Sequence, residues 1–172
     1  MYSKLIVAAA LLALVAGPAA AEQADRKKPI EITADSGTLD QLKGVTVWQG
    51  NVIVVQGTLR ATADQVTVTR DAQGRQTLQG VGRPATFRQK LEGRPEYIEG
   101  QASRVDYTSA SNQVVLTGNA RVRRGADVVS GSVITYNTET EVYQVSGGAA
   151  TAPGQSKGRV TVILQPRDEG QK

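Results

Sequence analysis

Polar and apolar residues alternate along most of this chain, and the alternation predicts β-strands. After Pro29, the run Ile30–Ala34 alternates with a period of two, which places side chains on the two faces of a strand in turn. From there to Thr138 the sequence has no helical period, and its apolar residues are mostly valine, with threonine, isoleucine and tyrosine. These residue types favour strands. Turn signals recur about every eight to twelve residues, which is typical of an all-β sandwich, barrel or jelly roll.

The alternation and the turns divide the chain into about sixteen short antiparallel strands. The predicted ranges are 30–34, 38–42, 45–49, 51–56, 58–63, 66–70, 76–80, 84–89, 97–102, 104–108, 113–117, 119–123, 127–131, 133–137, 142–146 and 159–164. Residues 22–29 are predicted to be a flexible segment, and residues 165–172 a polar tail. Residues 30–164 are therefore predicted to form a single domain.

One strand–turn–strand unit occurs twice in the sequence. Gly50–Arg70 reads GNVIVVQGTLRATADQVTVTR, and Gly118–Thr138, 68 residues later, reads GNARVRRGADVVSGSVITYNT. The period-two alternation slips by one residue at four small residues, which are Ala34, Ala63, Ala102 and Gly131. A strand keeps one face only while its period stays at two, so each slip predicts a bulge or a bend. The alternative is a coincidence in a chain rich in valine, alanine and threonine.

The repeat also predicts which residues face outward. Arg121 and Arg123 must point outward, so their sequence neighbours point inward. The equivalent residues of the first copy are Ile53 and Val55. Because these outward residues are apolar, we expect this segment to be an edge or a partner surface.

The first 21 residues have the features of a cleaved secretory signal. Lys4 provides the positive start, Leu5–Val15 is an apolar run, and Ala19–Ala21 offers a cleavage site after Ala21. The run is shorter than the roughly 20 residues that span a bilayer. An uncleaved anchor is the alternative. The sequence contains no cysteine, so an exported chain without disulfides fits the bacterial periplasm.

The composition argues against an enzyme. The sequence contains no histidine, which excludes Ser-His-Asp and Cys-His catalysis and histidine-ligated metal sites. The carboxylates are scattered singly, and the glycines lie at strand ends rather than in a phosphate-binding loop. A net charge of +4 is too small to indicate a nucleic-acid partner. We therefore expect a non-catalytic protein with no cofactor and no metal.

Five segments carry a family resemblance. They are Pro29-Ile30-x-Ile32, GNVIVxQGT (50–58), ADxVxVTR (63–70), GRPATF (82–87) and VVLTGNA (114–120). Their order and spacing resemble the OstA-like β-jelly-roll family of periplasmic lipopolysaccharide-transport proteins. The resemblance covers most of the chain, Ile30–Leu164. It implies a twisted, open, V-shaped β-jelly roll that binds the acyl chains of lipid A in an apolar groove.

The resemblance also implies partners and an assembly. Head-to-tail pairing of strand edges would build a bridge across the periplasm. Its ends would meet an inner-membrane lipopolysaccharide export complex and an outer-membrane lipopolysaccharide insertion protein. The edges expected to pair are Ile30–Ala34 and Arg159–Leu164. A periplasmic β-domain adaptor that binds only proteins through these edges is the alternative function.

Nine residues are predicted to line the lipid groove. They are Ile30, Ile32, Leu39, Val52, Val54, Phe87, Tyr107, Leu116 and Tyr136. Ordinary core packing is the alternative for each, because core and groove lie on the same face of such a sheet. The arginines predicted to meet lipid phosphates or sugar carboxylates at the rim are Arg83, Arg121 and Arg123, with Arg124 beside them. A solvated face is their alternative. Trp48 is predicted to lie at the groove mouth or in the core.

Overall fold

The structure is a computed structural model that describes residues 25, 28–91, 94–140, 142–147 and 158–165. The regular elements within these ranges are ten strands. They are β1 (Glu31–Thr33), β2 (Ser36–Asp40), β3 (Val45–Gln56), β4 (Leu59–Arg70), β5 (Gln76–Lys90), β6 (Tyr97–Thr108), β7 (Gln113–Arg124), β8 (Asp127–Asn137), β9 (Tyr143–Ser146) and β10 (Thr161–Ile163). The all-β prediction is confirmed.

Some sequence predictions fall outside the described residues. These are the signal peptide 1–21 with its cleavage after Ala21, most of the segment 22–29, and the tail 165–172 beyond Gln165. Within the described part of the chain, no helix has the length and apolar character needed to cross a membrane.

Each of the six long strands, β3 to β8, replaces two of the predicted short ones. For example, β3 (Val45–Gln56) covers the predicted strands 45–49 and 51–56. The chain passes the irregularities predicted at Ala63, Ala102 and Gly131 without leaving the sheet, because a bulge bends a strand and needs only an extra residue or two. At Ala34 it runs between the separate strands β1 and β2. Ten strands therefore account for about sixteen predicted segments.

All strand pairs are antiparallel, and a line of irregularities divides the sheet. The strand order is β1-β3-β4-β5-β6-β7-β8-β10, with β2 added to β3 and β9 added to β8. The register shifts in every strand pair from β3–β4 to β7–β8. In the first pair the shift lies between Gln49 and Val52 of β3, and in the last pair it lies between Thr117 and Ala120 of β7. We call the part that contains β1 and β10 half-sheet I, and the part that contains β2 and β9 half-sheet II.

The backbone confirms the sequence repeat. In the bulge of β3, Gly50 and Asn51 have φ angles of 78° and 45°, and in the bulge of β7, Gly118 and Asn119 have φ angles of 81° and 49°. Glycine and asparagine are the residues that most readily adopt this left-handed conformation. The two halves therefore share the same bulge at the same place.

The core lies between the two half-sheets in two clusters. The N-terminal core consists of Val52, Val54 and Val66. The C-terminal core consists of Ile98, Ala102, Leu116, Ala120, Val122, Ile134 and Tyr136. Both clusters combine residues from both half-sheets, so the half-sheets pack face to face.

The predicted facing of the repeat is confirmed, but its edge is not. Val52 and Val54 are buried, whereas Arg121 and Arg123 are exposed. Ile53 and Val55 are half-buried, and β1 pairs alongside them. The prediction that this segment of β3 forms an edge is therefore wrong, because the short strand β1 adds to it and takes the outer position.

Candidate functional site

An apolar cavity of about 390 Å³ lies between the half-sheets. Half-sheet I contributes Val54, Ala61, Ala85, Phe87 and Ile98, and half-sheet II contributes Val66, Leu78, Gly80, Val105, Tyr107, Val114 and Tyr136. Among the described residues of the lining, the charged ones are Asp25 and Lys90. Both lie near strand ends, so the interior of the cavity carries no charge.

The cavity exists because small residues line its deepest part. Ala63, Gly80 and Ala85 lie at the corner between the half-sheets. A Cβ built on Gly80 would be 3.7 Å from the Cβ of Ala63, an ordinary contact distance. At the other side of the sheet the corresponding space is filled, since Leu116 and Ile134 are fully buried in the C-terminal core. Over β7 and β8 the cavity is therefore bounded by Val114 and Tyr136, and the space beyond them toward the corner is filled.

Two polar lips flank the cavity at the strand ends farthest from the corner. The lip of half-sheet I contains Gln56, Leu59 and the end of β5, Gln89–Leu91. The lip of half-sheet II contains Gln76, Ser109 and Thr138. Two hydrogen bonds fix the second lip. The backbone N–H of Ser109 donates to Gln76 O at 2.9 Å, and the backbone N–H of Gln76 donates to the Ser109 side-chain Oγ at 2.8 Å. An apolar interior thus opens through a polar mouth, where Asp25 and Lys90 are the charged residues of the described lining.

An aromatic pair closes the cavity on the β8 side. Tyr136 lines the cavity and is 6% exposed. Its ring stacks on that of Tyr143 from β9, with the ring centroids 4.4 Å apart and the planes at 22°. The short strand β9 therefore extends half-sheet II beyond β8 and holds Tyr143 against the ring of Tyr136.

The structure brings five of the nine predicted lining residues together around the cavity. They are Ile30, Val54, Phe87, Tyr107 and Tyr136. Val52 and Leu116 have no exposed surface and belong to the two cores. Ile32 packs against the N-terminal core, and Leu39 is 61% exposed on β2. Lipid contact by any of the nine stays a prediction.

Sequence reasoning missed several residues of the lining. Leu78 and Val114 lie directly opposite Tyr107 in the ladders on either side of β6, and Tyr136 lies opposite Val114. These four residues form one continuous row across half-sheet II. The signal was present in the sequence, because hairpin register and period-two alternation together place cross-strand neighbours on one face.

The predicted rim arginines lie away from the cavity mouth. Arg83 is exposed beside the corner, where its Nε is 3.2 Å from Asp64 Oδ2. Arg121 and Arg123 lie on the outer face of half-sheet I, because they alternate with buried Ala120 and Val122. There they border a second depression, of about 480 Å³. An anionic group that meets Arg121 or Arg123 therefore meets it outside the cavity.

Trp48 has the core role that the sequence left open. It is half-buried and packs against the N-terminal core. A Cβ built on Gly37, its partner in the β2–β3 ladder, would overlap the six-membered part of its ring. The ring thus covers the backbone of β2.

The shifted pKa values belong to hairpin loops and to the outer surface. A hydrogen bond from Arg75 holds the pKa of the Asp71 carboxyl below its ordinary value. The backbone and side chain of Lys43 lower the pKa of Asp40 in the same way. Within the described residues, no group of histidine, cysteine or acidic side chains could hold a metal ion.

Comparisons with known proteins agree with this architecture. The chain is 40% identical to the lipopolysaccharide export system protein LptA of Escherichia coli K12 over 165 residues, which are 94% of this chain and 84% of that protein. It is 32% identical to LptA of Haemophilus influenzae over 170 residues, which are 96% of this chain and 94% of that protein.

A solved structure has the same fold. It is that of LptH from Pseudomonas aeruginosa, described as the LptA-homologous periplasmic component of the conserved lipopolysaccharide transport device. The TM-score is 0.74 at 30% identity, covering 83% of this chain and 99% of that one. The family described as "LptA/(LptD N-terminal domain) LPS transport protein" matches residues 31–142. The chain therefore belongs to the LptA/LptD N-terminal domain family of lipopolysaccharide transport proteins.

Proposed function

We propose that this protein is a non-catalytic periplasmic carrier that binds lipopolysaccharide during its export. The acyl chains of lipid A would occupy the cavity between the half-sheets. The observation that carries this proposal is an uncharged, apolar interior that opens through a polar mouth. The family relationship supports the choice of lipid, since the relatives are named as lipopolysaccharide export proteins.

The energetics of the cargo require such a cavity. Exposing a methylene group to water costs about 0.8 kcal/mol, so an acyl chain of a dozen carbons costs about 10 kcal/mol. A soluble carrier must bury most of that surface. Apolar contacts along the acyl chain would come from both half-sheets. Half-sheet II supplies the cross-strand row of Leu78, Tyr107, Val114 and Tyr136, and half-sheet I supplies the side chains that face this row.

The size of the cavity has a consequence for binding. A volume of about 390 Å³ lies in the lower part of the range of small-molecule sites, which is about 300–1,000 Å³. Lipid A carries several acyl chains, so binding of the whole lipid requires the two lips to move apart, which an open seam between half-sheets permits.

We also propose that copies of the protein pair end to end and connect an inner-membrane export complex with an outer-membrane insertion protein. β1 and β10 lie at opposite ends of the sheet order, and each pairs with one strand within the described residues. Val162, Ile163 and Leu164 at the β10 end are 51%, 49% and 70% exposed. Exposed strand edges accept a further strand from a partner.

A matched pair of variants on one strand tests the lipid site. Leu78→Glu places a charge in the cavity, whereas Val81→Glu places it on the opposite face of β5, where Val81 is 41% exposed. We expect purified Leu78→Glu to keep its β-rich circular dichroism spectrum and to lose most binding of lipopolysaccharide, because an unpaired charge in an apolar site is costly. Val81→Glu should bind like the parent.

Two outcomes would overturn the proposal. One is equal binding of lipopolysaccharide by the parent and by a folded Leu78→Glu variant. The other is a parent that binds no lipid but captures partner proteins through its strand edges, as expected of the adaptor. If Leu78→Glu fails to fold, Leu78→Gln keeps the test open with a smaller polar change.

A further inference from the structure

The outer face of half-sheet I carries a concave arginine cluster that the cavity does not use. The depression of about 480 Å³ lies across the four adjacent strands β4 to β7. Arg60 comes from β4, Arg88 from β5, and Arg121 and Arg123 from β7, and β6 contributes Glu99. Four arginines and one glutamate give the described lining a net charge of +3. A surface of this shape and sign favours an anionic ligand.

The glutamate neutralises only part of this charge. Glu99 Oε1 is 3.3 Å from Arg88 Nε, and Glu99 Oε2 is 2.5 Å from Arg123 Nη2. Within the described part of the chain, Arg60 and Arg121 form no ion pair. Arg60 also lies directly opposite Arg88 in the β4–β5 ladder, and like charges in such a position destabilise a sheet. An anion bound between them would relieve that repulsion.

Neutral hydrogen-bonding groups form the floor of the depression. Thr62, Thr86 and Gln101 are cross-strand neighbours in one row that ends at Arg121. The Thr62 and Thr86 hydroxyl oxygens are 2.6 Å apart and hydrogen-bonded to each other. Hydroxyl and amide groups beside guanidinium groups suit an oxygen-rich ligand such as a phosphorylated sugar.

The depression and the cavity share one lip. Arg60 follows Leu59, and Arg88 precedes Gln89; Leu59 and Gln89 both line the cavity mouth. Because a strand rises about 3.3 Å per residue, Arg60 and Arg88 lie about one residue from this part of the mouth. A headgroup whose acyl chains enter the cavity can therefore reach the arginines by folding over this lip.

We infer that the arginine depression binds phosphate groups on the sugar headgroup of the lipopolysaccharide whose acyl chains occupy the cavity. This inference rests on the proposed function. Phosphate offers several acceptor oxygens and up to two negative charges, so Arg60 and Arg121, which form no ion pair with Glu99, can each bind one phosphate group of the headgroup. Guanidinium groups bind phosphate through two parallel hydrogen bonds, which lysine cannot form.

The test compares two proteins, each with two forms of the lipid. The purified parent and the Arg60→Gln/Arg121→Gln variant are each titrated with lipopolysaccharide and with the same lipopolysaccharide after removal of its phosphates. We expect the variant to bind the phosphorylated lipid about tenfold or more weakly, the size expected for losing charge-assisted bonds. It should bind the dephosphorylated lipid as tightly as the parent does.

The matched control removes two charges elsewhere. Arg70→Gln/Arg75→Gln changes the net charge by the same amount, at residues outside both the cavity and the depression. We expect this control to bind both lipids like the parent. An equal loss in the control, or an equal loss by the Arg60→Gln/Arg121→Gln variant for both lipids, would show a solvated, unspecific face and overturn the inference.

Soluble probes separate this inference from the proposed function. A deacylated, phosphorylated headgroup saccharide should bind the parent and bind the Arg60→Gln/Arg121→Gln variant more weakly, even if the cavity binds no lipid. Inorganic phosphate should compete with it only at much higher concentration. Competition by inorganic phosphate at the same concentration as the saccharide, or by an acidic peptide where the saccharide fails, would overturn the headgroup assignment.

Discussion

The ring of Phe87 lies directly over Gly100 on the neighbouring strand. The two residues are opposite each other in the β5–β6 ladder, and a Cβ built on Gly100 would overlap the ring edge of Phe87. Phe87 lines the cavity. Its ring can occupy this position because residue 100 is a glycine and has no side chain there. Trp48 and Gly37 form the same kind of pair in the β2–β3 ladder.

Two glycine variants test this relationship. Gly100→Ala should lower the free energy of unfolding by about 1–3 kcal/mol, the usual cost of overpacking, because the ring of Phe87 must move. Gly80→Ala is the control, since its Cβ would meet Ala63 and Val105 at 3.7 and 3.9 Å, which are ordinary contact distances. Urea unfolding of both variants measures the difference. Equal stability of Gly100→Ala and the parent would contradict the packing described.

The bulge of β7 offers a prediction about asparagine. Asn119 has a φ of 49°, which a residue with an ordinary side chain adopts at a cost of about 1–2 kcal/mol. Asn119→Ala should therefore lower the free energy of unfolding by about 1 kcal/mol. Asn119→Gly should leave it nearly unchanged, because glycine adopts this conformation freely. If thermal or urea unfolding shows that both variants lose stability equally, the side chain matters and not the backbone conformation.

Stability should depend on pH through Asp71. Arg75 Nε donates to Asp71 Oδ2 at 2.6 Å, and the backbone N–H groups of Gln73 and Arg75 donate to Oδ1. These bonds hold the pKa of Asp71 below its ordinary value, so the folded state favours the ionised form. The resulting stability is present above the unfolded-state pKa of about 3.9 and is lost as the pH falls through the lowered pKa.

The variant Asp71→Asn checks the sign of this effect. It should be less stable than the parent at neutral pH, and the difference should shrink as the pH falls below the unfolded-state pKa and the parent loses its carboxylate. Urea unfolding at neutral and acidic pH gives the comparison. A difference that stays constant or grows at acidic pH would contradict the assigned role of Asp71.

Self-association should proceed through strand edges without a closed end state. Deleting Arg159–Lys172 removes β10 (Thr161–Ile163), whose apolar residues are exposed at the end of the sheet. Heterologous contacts that do not close produce open chains, so the average mass of the parent should rise with concentration and that of the deletion variant should not. Lipid binding should persist in the deletion variant. Sedimentation that shows a strict monomer or a closed dimer of the parent would rule out this assembly.

Local sequence patterns were sufficient for the strands and corners but not for the cavity. The alternation predicted the strands, and its slips at Ala63, Ala102 and Gly131 predicted three of the irregularities, because each depends on a few neighbouring residues. Whether an inward residue faces protein or empty space depends on distant partners. Leu116 is fully buried, whereas Tyr107 lines the cavity beside Leu78. Alternation alone cannot distinguish them, since both point inward.

The position of the arginines illustrates the same limit. The repeat correctly predicted that Arg121 and Arg123 point outward. The register across β4–β7 places Arg60, Arg88 and Arg123 in one row with Glu99, and it places Arg121 one row nearer the corner on the same face. Four strands had to be aligned before this cluster could be recognised, and no single segment of the sequence carries that information.

The central claim is that lipopolysaccharide occupies the space between the half-sheets. The most direct test places a photoreactive residue at position 87 or 107, inside the cavity, and at position 42 or 81 as controls. Leu42 is fully exposed and Val81 lies on the outer face. After irradiation of cells that make lipopolysaccharide, we predict lipopolysaccharide adducts at positions 87 and 107 and none at 42 or 81. Adducts of equal yield at all four positions, or adducts at the controls alone, would contradict it.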